Sequence, residues 1–237
     1  MKIENKDLKK DFYMKLVADS VIDSADWDLD EVTVNGKDGY LYLDKERYGS
    51  VPQSFAFYLM PPKTKTLEKA YDDFNDFVSS KKSNFRFTLS RDPNHYYFGF
   101  KKKGLSFQRI SNRIAKVTME LDVYPYKFLV DGDKVLTNPT SITNPTNYIA
   151  LPKIKVKTSS AHANFTIAGR RFNLANKEVV TVVIDSFNKN VTTASGANSY
   201  WNQVSTYNFP FLDAGYNSVS KTNISTLEIT PAFRRLI

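Results

Sequence analysis

The side chains that most often carry enzyme chemistry are scarce in this sequence. Its two histidines, His95 and His162, are far apart, and there is no cysteine. They cannot complete a zinc set, and the sequence contains no H-E-x-x-H motif. A serine nucleophile would require a G-x-S-x-G elbow or a paired base, and neither pattern occurs. We therefore expect no catalytic residues, no metal site and no cofactor.

One acidic cluster is a candidate catalytic site, because paired carboxylates can hydrolyse glycosidic bonds. Its members are Asp26, Asp28, Asp30 and Glu31, close together near the start of the chain. We interpret the cluster as a solvated turn, and a wall-degrading hydrolase is the competing hypothesis.

The segment from His95 to Lys103 places four aromatic residues beside three consecutive lysines. Aromatic rings can stack on bases and lysines can neutralise phosphates, so the segment is the best candidate for binding nucleic acid. The formal net charge of +8 is compatible with that function. The interpretation we favour is an aromatic strand whose lysine-rich end protects a sheet edge.

Most of the remaining pattern predicts β-strands joined by tight turns. Val32-Thr33-Val34 and Tyr40-Leu41-Tyr42-Leu43 flank Asn-Gly and Asp-Gly turn signals at 35–39, as in a hairpin. From Ala115 to Val123, apolar and polar residues alternate, which predicts a half-buried antiparallel strand.

A single amphipathic helix is predicted at about 66–81. Thr66 can cap it, and apolar residues recur at helical spacing from Leu67 to Val78. We expect Phe74 and Phe77 on this face to be buried against the sheet of the same domain.

The second half of the chain has short strands, recurrent turns and no helical period. We place a domain boundary at Tyr124-Pro125-Tyr126, giving domains 1–125 and 126–237. The Asn- and Pro-rich loop at 137–147 is the alternative boundary. The predicted fold class is mainly β with one helix: an N-terminal β-barrel or sandwich, followed by a β-sandwich.

Aromatic residues make up 14% of the sequence, a surplus that favours strands and a self-association surface. No secretory apolar region and no run of about 18 apolar residues is present, so we expect no membrane contact and assembly in a cytoplasm. The residues predicted to form an oligomer interface are the densest aromatic runs: Tyr40, Tyr42, Phe55, Phe57, Tyr58, Tyr96, Tyr97 and Phe98.

In the order and spacing of its motifs, the chain resembles the distal tail (Dit) proteins of siphophages that infect Gram-positive bacteria. The most specific part is the final series from Phe209-Pro210-Phe211-Leu212 to Ile229-Thr230-Pro231. Lys37 stands where that family commonly has arginine. The segments that carry the resemblance are 34–41, 122–127, 144–147, 151–156, 165–170, 182–186, 209–212, 215–217 and 229–236.

The resemblance implies a structural hub of the phage tail tip rather than an enzyme. Such a protein forms a hexameric ring in its first domain and carries a galectin-like second domain. It joins the tail tube to tail-associated lysin, adhesion or baseplate proteins, and DNA passes through its channel. The alternative function is a host-surface carbohydrate-binding module, although the sugar-binding side chains of true galectins are not recognisable here.

Overall fold

A computed structural model describes residues 1–17, 22–196, 198–205 and 208–237. The chain divides into two compact units. The first comprises Met1–Lys127 together with Leu236–Ile237, and the second comprises Phe128–Arg235. The division falls next to the boundary predicted at 125/126, and the alternative boundary at 137–147 lies inside the second unit.

The described residues of the first unit form two helices, one more than the sequence analysis predicted. The additional helix is a single short segment that Asp7 caps by accepting hydrogen bonds from the amides of Lys9 and Lys10. The elements are β1 (Lys2–Ile3), β2 (Lys6–Asp7), α1 (Leu8–Phe12), β3 (Met14–Leu16), β4 (Trp27–Thr33), β5 (Tyr40–Tyr48), β6 (Val51–Leu59), α2 (Leu67–Ser79), β7 (Phe85–Leu89), β8 (Asp92–Phe100), β9 (Ser106–Arg109) and β10 (Ala115–Val123). Strand β11 (Tyr126–Leu129) follows where the two units divide.

Most strands of the first unit belong to one sheet with the order β2-β1-β7-β8-β10-β6-β3, and β9 pairs with β10. Strand β10 pairs with β6 over its whole length, from Ala115 opposite Leu59 to Val123 opposite Val51. Its odd-numbered residues are buried and the even-numbered ones are not, as the alternating sequence predicted.

Helix α2 covers this core, and its cap is the predicted one: the Thr66 hydroxyl accepts a hydrogen bond from the Lys69 amide at 3.2 Å. Phe74 is fully buried, as predicted. Phe77 is only half-buried and stacks on Phe12 of α1, with ring centroids 4.9 Å apart. Phe77 still packs against the core of the first unit, so the prediction of burial holds for it only in part, because α1 covers that side of the helix.

The second unit is a sandwich of two antiparallel sheets, as predicted. The sheets have the orders β12-β20-β14-β17-β18 and β13-β19-β15-β16, and side chains from both form one apolar core. The strands are β12 (Leu136–Thr137), β13 (Ser141–Asn144), β14 (Lys153–Thr158), β15 (Asn164–Ile167), β16 (Arg170–Asn173), β17 (Thr181–Asp185), β18 (Asn190–Thr193), β19 (Gly215–Thr222) and β20 (Ile224–Thr230). The last strand, β21 (Arg234–Leu236), belongs to neither sheet and pairs with β11.

Candidate functional site

Strands β4 and β5 form a two-stranded hairpin that is separate from the main sheet of the first unit. Its register pairs Thr33 with Tyr40 and Glu31 with Tyr42, and the turn lies over the Asn-Gly and Asp-Gly pairs that predicted it. None of the residues in either strand is buried. An isolated two-stranded hairpin is marginally stable in water, so a partner surface would add to its stability.

The two faces of the hairpin differ in chemistry. Cross-strand partners share a face, so one face presents Trp27, Tyr40 and Tyr42. The Tyr42 side chain is 56% exposed. The opposite face presents Leu41 and Leu43, the latter 50% exposed. Apolar surface exposed on both faces of one element is typical of a protein–protein interface.

Asp28, Asp30 and Glu31 of the acidic cluster lie on β4, and Asp26 directly precedes it. The cluster is therefore in a strand and not in the predicted turn, although Asp26, Asp30 and Glu31 are exposed to solvent as predicted. Lys45 on β5 binds both Asp28 and Asp30, at 3.1 Å and 2.5 Å. Arg47 binds Asp28 at 2.7 Å. The hydrogen bonds from Arg47 and Lys45 lower the pKa of the Asp28 carboxyl. A general acid of a glycosidase requires the opposite shift, so Asp28 is not suited to that role.

Four of the predicted interface residues are buried within the chain itself. Phe55, Phe57 and Tyr97 belong to the core of the first unit. Tyr96 is 4% exposed, and the Arg86 guanidinium lies 3.5 Å from its ring centroid. Because these four side chains are buried within a single copy of the chain, their assignment to an oligomer interface is wrong.

The other four predicted interface residues retain accessible surface. Tyr40 and Tyr42 lie on the hairpin, with ring centroids 6.4 Å apart. Tyr58 on β6 is exposed and Phe98 on β8 is half-buried. Their participation in an interface stays a prediction.

The sequence analysis missed the aliphatic and indole members of the hairpin surface. Leu29, Leu41 and Leu43 are all exposed, as is Trp27, whose indole N–H donates to Asp44 at 2.7 Å. A signal was available in the sequence: residues 40–43 are apolar without alternation, which a half-buried strand would not show.

The lysine run 101–103 is engaged with neighbouring side chains. Lys101 donates to the Ser79 hydroxyl at 2.9 Å. Lys102 forms an ion pair with Asp122, and Lys103 binds Glu120 at 2.7 Å. The run is thus largely neutralised by β10, which favours the sheet-edge interpretation over nucleic-acid binding.

The two histidines fall in different units. His95 Nδ1 lies 2.6 Å from Asp92, which also accepts hydrogen bonds from Tyr97 at 2.8 Å and Lys127 at 3.1 Å. Burial alone would raise the pKa of Asp92, but these three partners outweigh it and lower the pKa to about 2. Burial, and then the bond to Asp92, raises the pKa of Tyr97.

The described part of the chain contains neither a metal-binding cluster nor a membrane-spanning helix. Within it, no group of three or more histidine, aspartate or glutamate side chains is arranged to hold a metal ion. Within the same residues, no helix has the length and apolar character needed to span a membrane.

Comparison with known proteins identifies the class to which this architecture belongs. Residues 9–123 match the family of phage tail protein RIFT-related domains. The crystal structure of the Dit protein (gp 19.1) of phage SPP1 superposes with a TM-score of 0.71 at 13% sequence identity, covering 99% of this chain and 98% of that one. No curated protein sequence matches the chain. The predicted resemblance is confirmed in two respects: residues 9–123 of the first unit match a phage tail protein RIFT-related domain, and the fold of the chain is that of SPP1 Dit.

Proposed function

We propose that this chain is the ring-forming hub of a siphophage tail tip. Six copies close a ring through their first units and leave a channel through which DNA passes. The protein of SPP1 that shares this fold is described as a paradigm of the hub adsorption apparatus in Gram-positive-infecting phages. The ring joins the tail tube to tail-associated lysin, adhesion or baseplate proteins, which places it at the virion tail tip after assembly in the host cytoplasm.

The single observation that carries the proposal is the β4–β5 hairpin, with apolar surface on both faces. Its aromatic face and its aliphatic face are different, so the hairpin is not complementary to itself. Contacts between unlike patches are heterologous, and a heterologous contact repeated with a closing rotation generates a ring. The hairpin of one copy therefore docks on a different surface of the next copy. Tyr58 and Phe98 are the candidates for that receiving surface.

Ion pairs at the base of the hairpin support this role. Lys45 and Arg47 tie β5 to Asp28 on β4 across the strand pair, and Trp27 packs edge-on against Tyr48 at 4.6 Å. Exposed pairs contribute little to stability individually, so their effect is to keep the two strands in register. A hairpin fixed at its base presents its apolar tip in a defined orientation.

Native mass spectrometry of the full chain tests the proposal, with Tyr42→Ser combined with Leu43→Ser as the informative variant. The unmodified chain should form hexamers, and the double variant should be monomeric with an unchanged unfolding temperature. Tyr216→Ser is the matched control, because Tyr216 is 70% exposed but lies in the second unit. A strict monomer at every concentration, even with tail-tube protein present, would contradict the proposal.

A further inference from the structure

The second unit contains a cavity of about 670 Å³ that plays no part in the proposed ring contact. Its walls come from the start of β16, the turn after β17 and the segment 208–211. The volume lies in the range of pockets that bind small molecules, about 300–1,000 Å³. Because the described wall residues all belong to the second unit, ligand binding in this cavity does not depend on ring formation.

The charged wall of the cavity is cationic. Of its described wall residues, Arg170, Arg171 and Lys189 are basic and none is acidic. Arg170 is held by Asp213 at 2.7 Å, and its guanidinium lies 3.8 Å from the Phe211 ring centroid. Arg171 and Lys189 have no acidic partner in the part of the chain that the structure describes. Two unneutralised cations at one opening favour an anionic ligand.

The apolar part of the wall consists of fixed aromatic rings. Phe209 packs edge-on against Trp201 with ring centroids 5.5 Å apart, and Phe211 is covered by the Arg170 guanidinium. Rings held by such contacts do not need to be ordered when a ligand arrives, which reduces the entropic cost of binding. A ligand ring with one apolar face, such as the C–H face of a sugar, would pack on this aromatic wall.

An unsatisfied hydroxyl lines the same cavity. Ser186 is 1% exposed, and its Oγ has no hydrogen-bond partner among the described residues. A buried polar atom without a partner destabilises the folded state, because its bond to water is lost and not replaced. A ligand hydroxyl in the cavity would remove that destabilisation, since the serine hydroxyl both donates and accepts.

From these three features we propose that the cavity binds a phosphorylated saccharide. Arg171 and Lys189 bind the phosphate group, Phe209 contacts the apolar face of the sugar ring, and Ser186 exchanges a hydrogen bond with a sugar hydroxyl. The site is distinct from the hairpin, and it would give the second unit a recognition function beyond the assembly role of the first.

Isothermal titration calorimetry on the full chain tests the proposal with three probes: N-acetylglucosamine 6-phosphate, N-acetylglucosamine and inorganic phosphate. The phosphorylated sugar should bind with a Kd of about 1 mM or tighter, and N-acetylglucosamine and inorganic phosphate should each bind at least about tenfold more weakly. Lys189→Gln should weaken binding of the phosphorylated sugar about tenfold, as expected for loss of a charged hydrogen bond. Lys177→Gln is the matched control: an exposed lysine of the same unit outside the cavity, whose loss should leave Kd unchanged.

Ser186→Ala provides an independent variant that preserves the fold, because removing an unpartnered hydroxyl does not remove a hydrogen bond. It should weaken binding several-fold without lowering the unfolding temperature. Inorganic phosphate binding as tightly as the phosphorylated sugar would overturn the saccharide part of the proposal. No detectable binding at about 10 mM ligand, or equal affinities for Lys189→Gln and Lys177→Gln, would overturn the proposal as a whole.

Discussion

Replacing Phe74 and Phe77 separately by alanine tests how α2 stabilises the first unit. Phe74 is fully buried, and its ring meets Phe12 edge-on at 5.5 Å and Phe57 at 6.5 Å. Its removal leaves a cavity between helix and sheet, so Phe74→Ala should cost about 3–5 kcal/mol. That is a large fraction of the roughly 5–15 kcal/mol that stabilises an ordinary domain.

Phe77 occupies the same helix but a different environment. It is half-buried, stacks on Phe12, and has the Lys81 ammonium 5.1 Å from its ring centroid. Truncation removes one stacking contact and part of the buried area but opens no enclosed cavity. We expect Phe77→Ala to cost about 1–2 kcal/mol, less than half the cost of the Phe74 substitution.

Differential scanning calorimetry is the appropriate assay because a chain with two compact units need not unfold in one transition. Only the transition of the first unit should move, by about 10–20 °C for Phe74→Ala and about 3–8 °C for Phe77→Ala. Equal shifts for the two variants, or a cost below about 1 kcal/mol for Phe74→Ala, would refute the assignment of these two environments.

Three further predictions concern other parts of the chain. Because the pKa of the Asp92 carboxyl is lowered from 3.8 to about 2, its ionised form contributes about 2 kcal/mol to the free energy of unfolding. That contribution is complete above pH ~4 and is lost as the pH falls toward 2, and Asp92→Asn should abolish this pH dependence in acid titrations of stability. Gly132→Ala would place a Cβ 2.6 Å from the backbone nitrogen of Phe233, so calorimetry should show the second unit destabilised by more than about 2 kcal/mol. By light scattering, residues 1–125 should still form rings or larger oligomers while 126–237 remains monomeric; a monomeric first fragment beside an oligomeric second one would reverse the roles of the two units.

Periodicity made the regular elements predictable. The cap at Thr66, the apolar stripe that follows it and the alternation from Ala115 to Val123 each fix an element by local rules alone. The Asn-Gly and Asp-Gly pairs likewise predicted the turn between β4 and β5, because both dipeptides accept the positive φ that tight hairpins require. At Gly36 and Gly39 the structure has φ of 79° and 80°.

Burial of the aromatic residues could not be read from the sequence. Phe55 and Tyr42 are both strand aromatics in apolar runs, yet one is 1% exposed and the other 56%. What separates them is whether a second layer covers the strand, and that depends on contacts remote in sequence. Helix α1 was missed for a related reason: five residues are too few to show a helical period.

The cavity in the second unit could not be predicted from the sequence, because it too depends on contacts between residues that are remote in sequence. Arg170 begins β16, Ser186 follows β17 and Phe209 lies in the segment before β19, so the three are far apart in sequence and meet only in the folded sandwich. None of the three stands in a motif with its own mechanism, so only the folded chain brings their chemistry together.

The assignment of Leu236 and Ile237 to the first unit makes the second unit an insertion. The Ile237 amide donates to the Pro125 carbonyl at 3.0 Å, and the Ile237 side chain packs against the first core. During synthesis on the ribosome, the first unit therefore emerges early but acquires this closing segment only after the entire second unit has been made. An exchange of the second unit between related proteins would have to preserve both junctions, at 127/128 and 235/236, rather than a single crossover point.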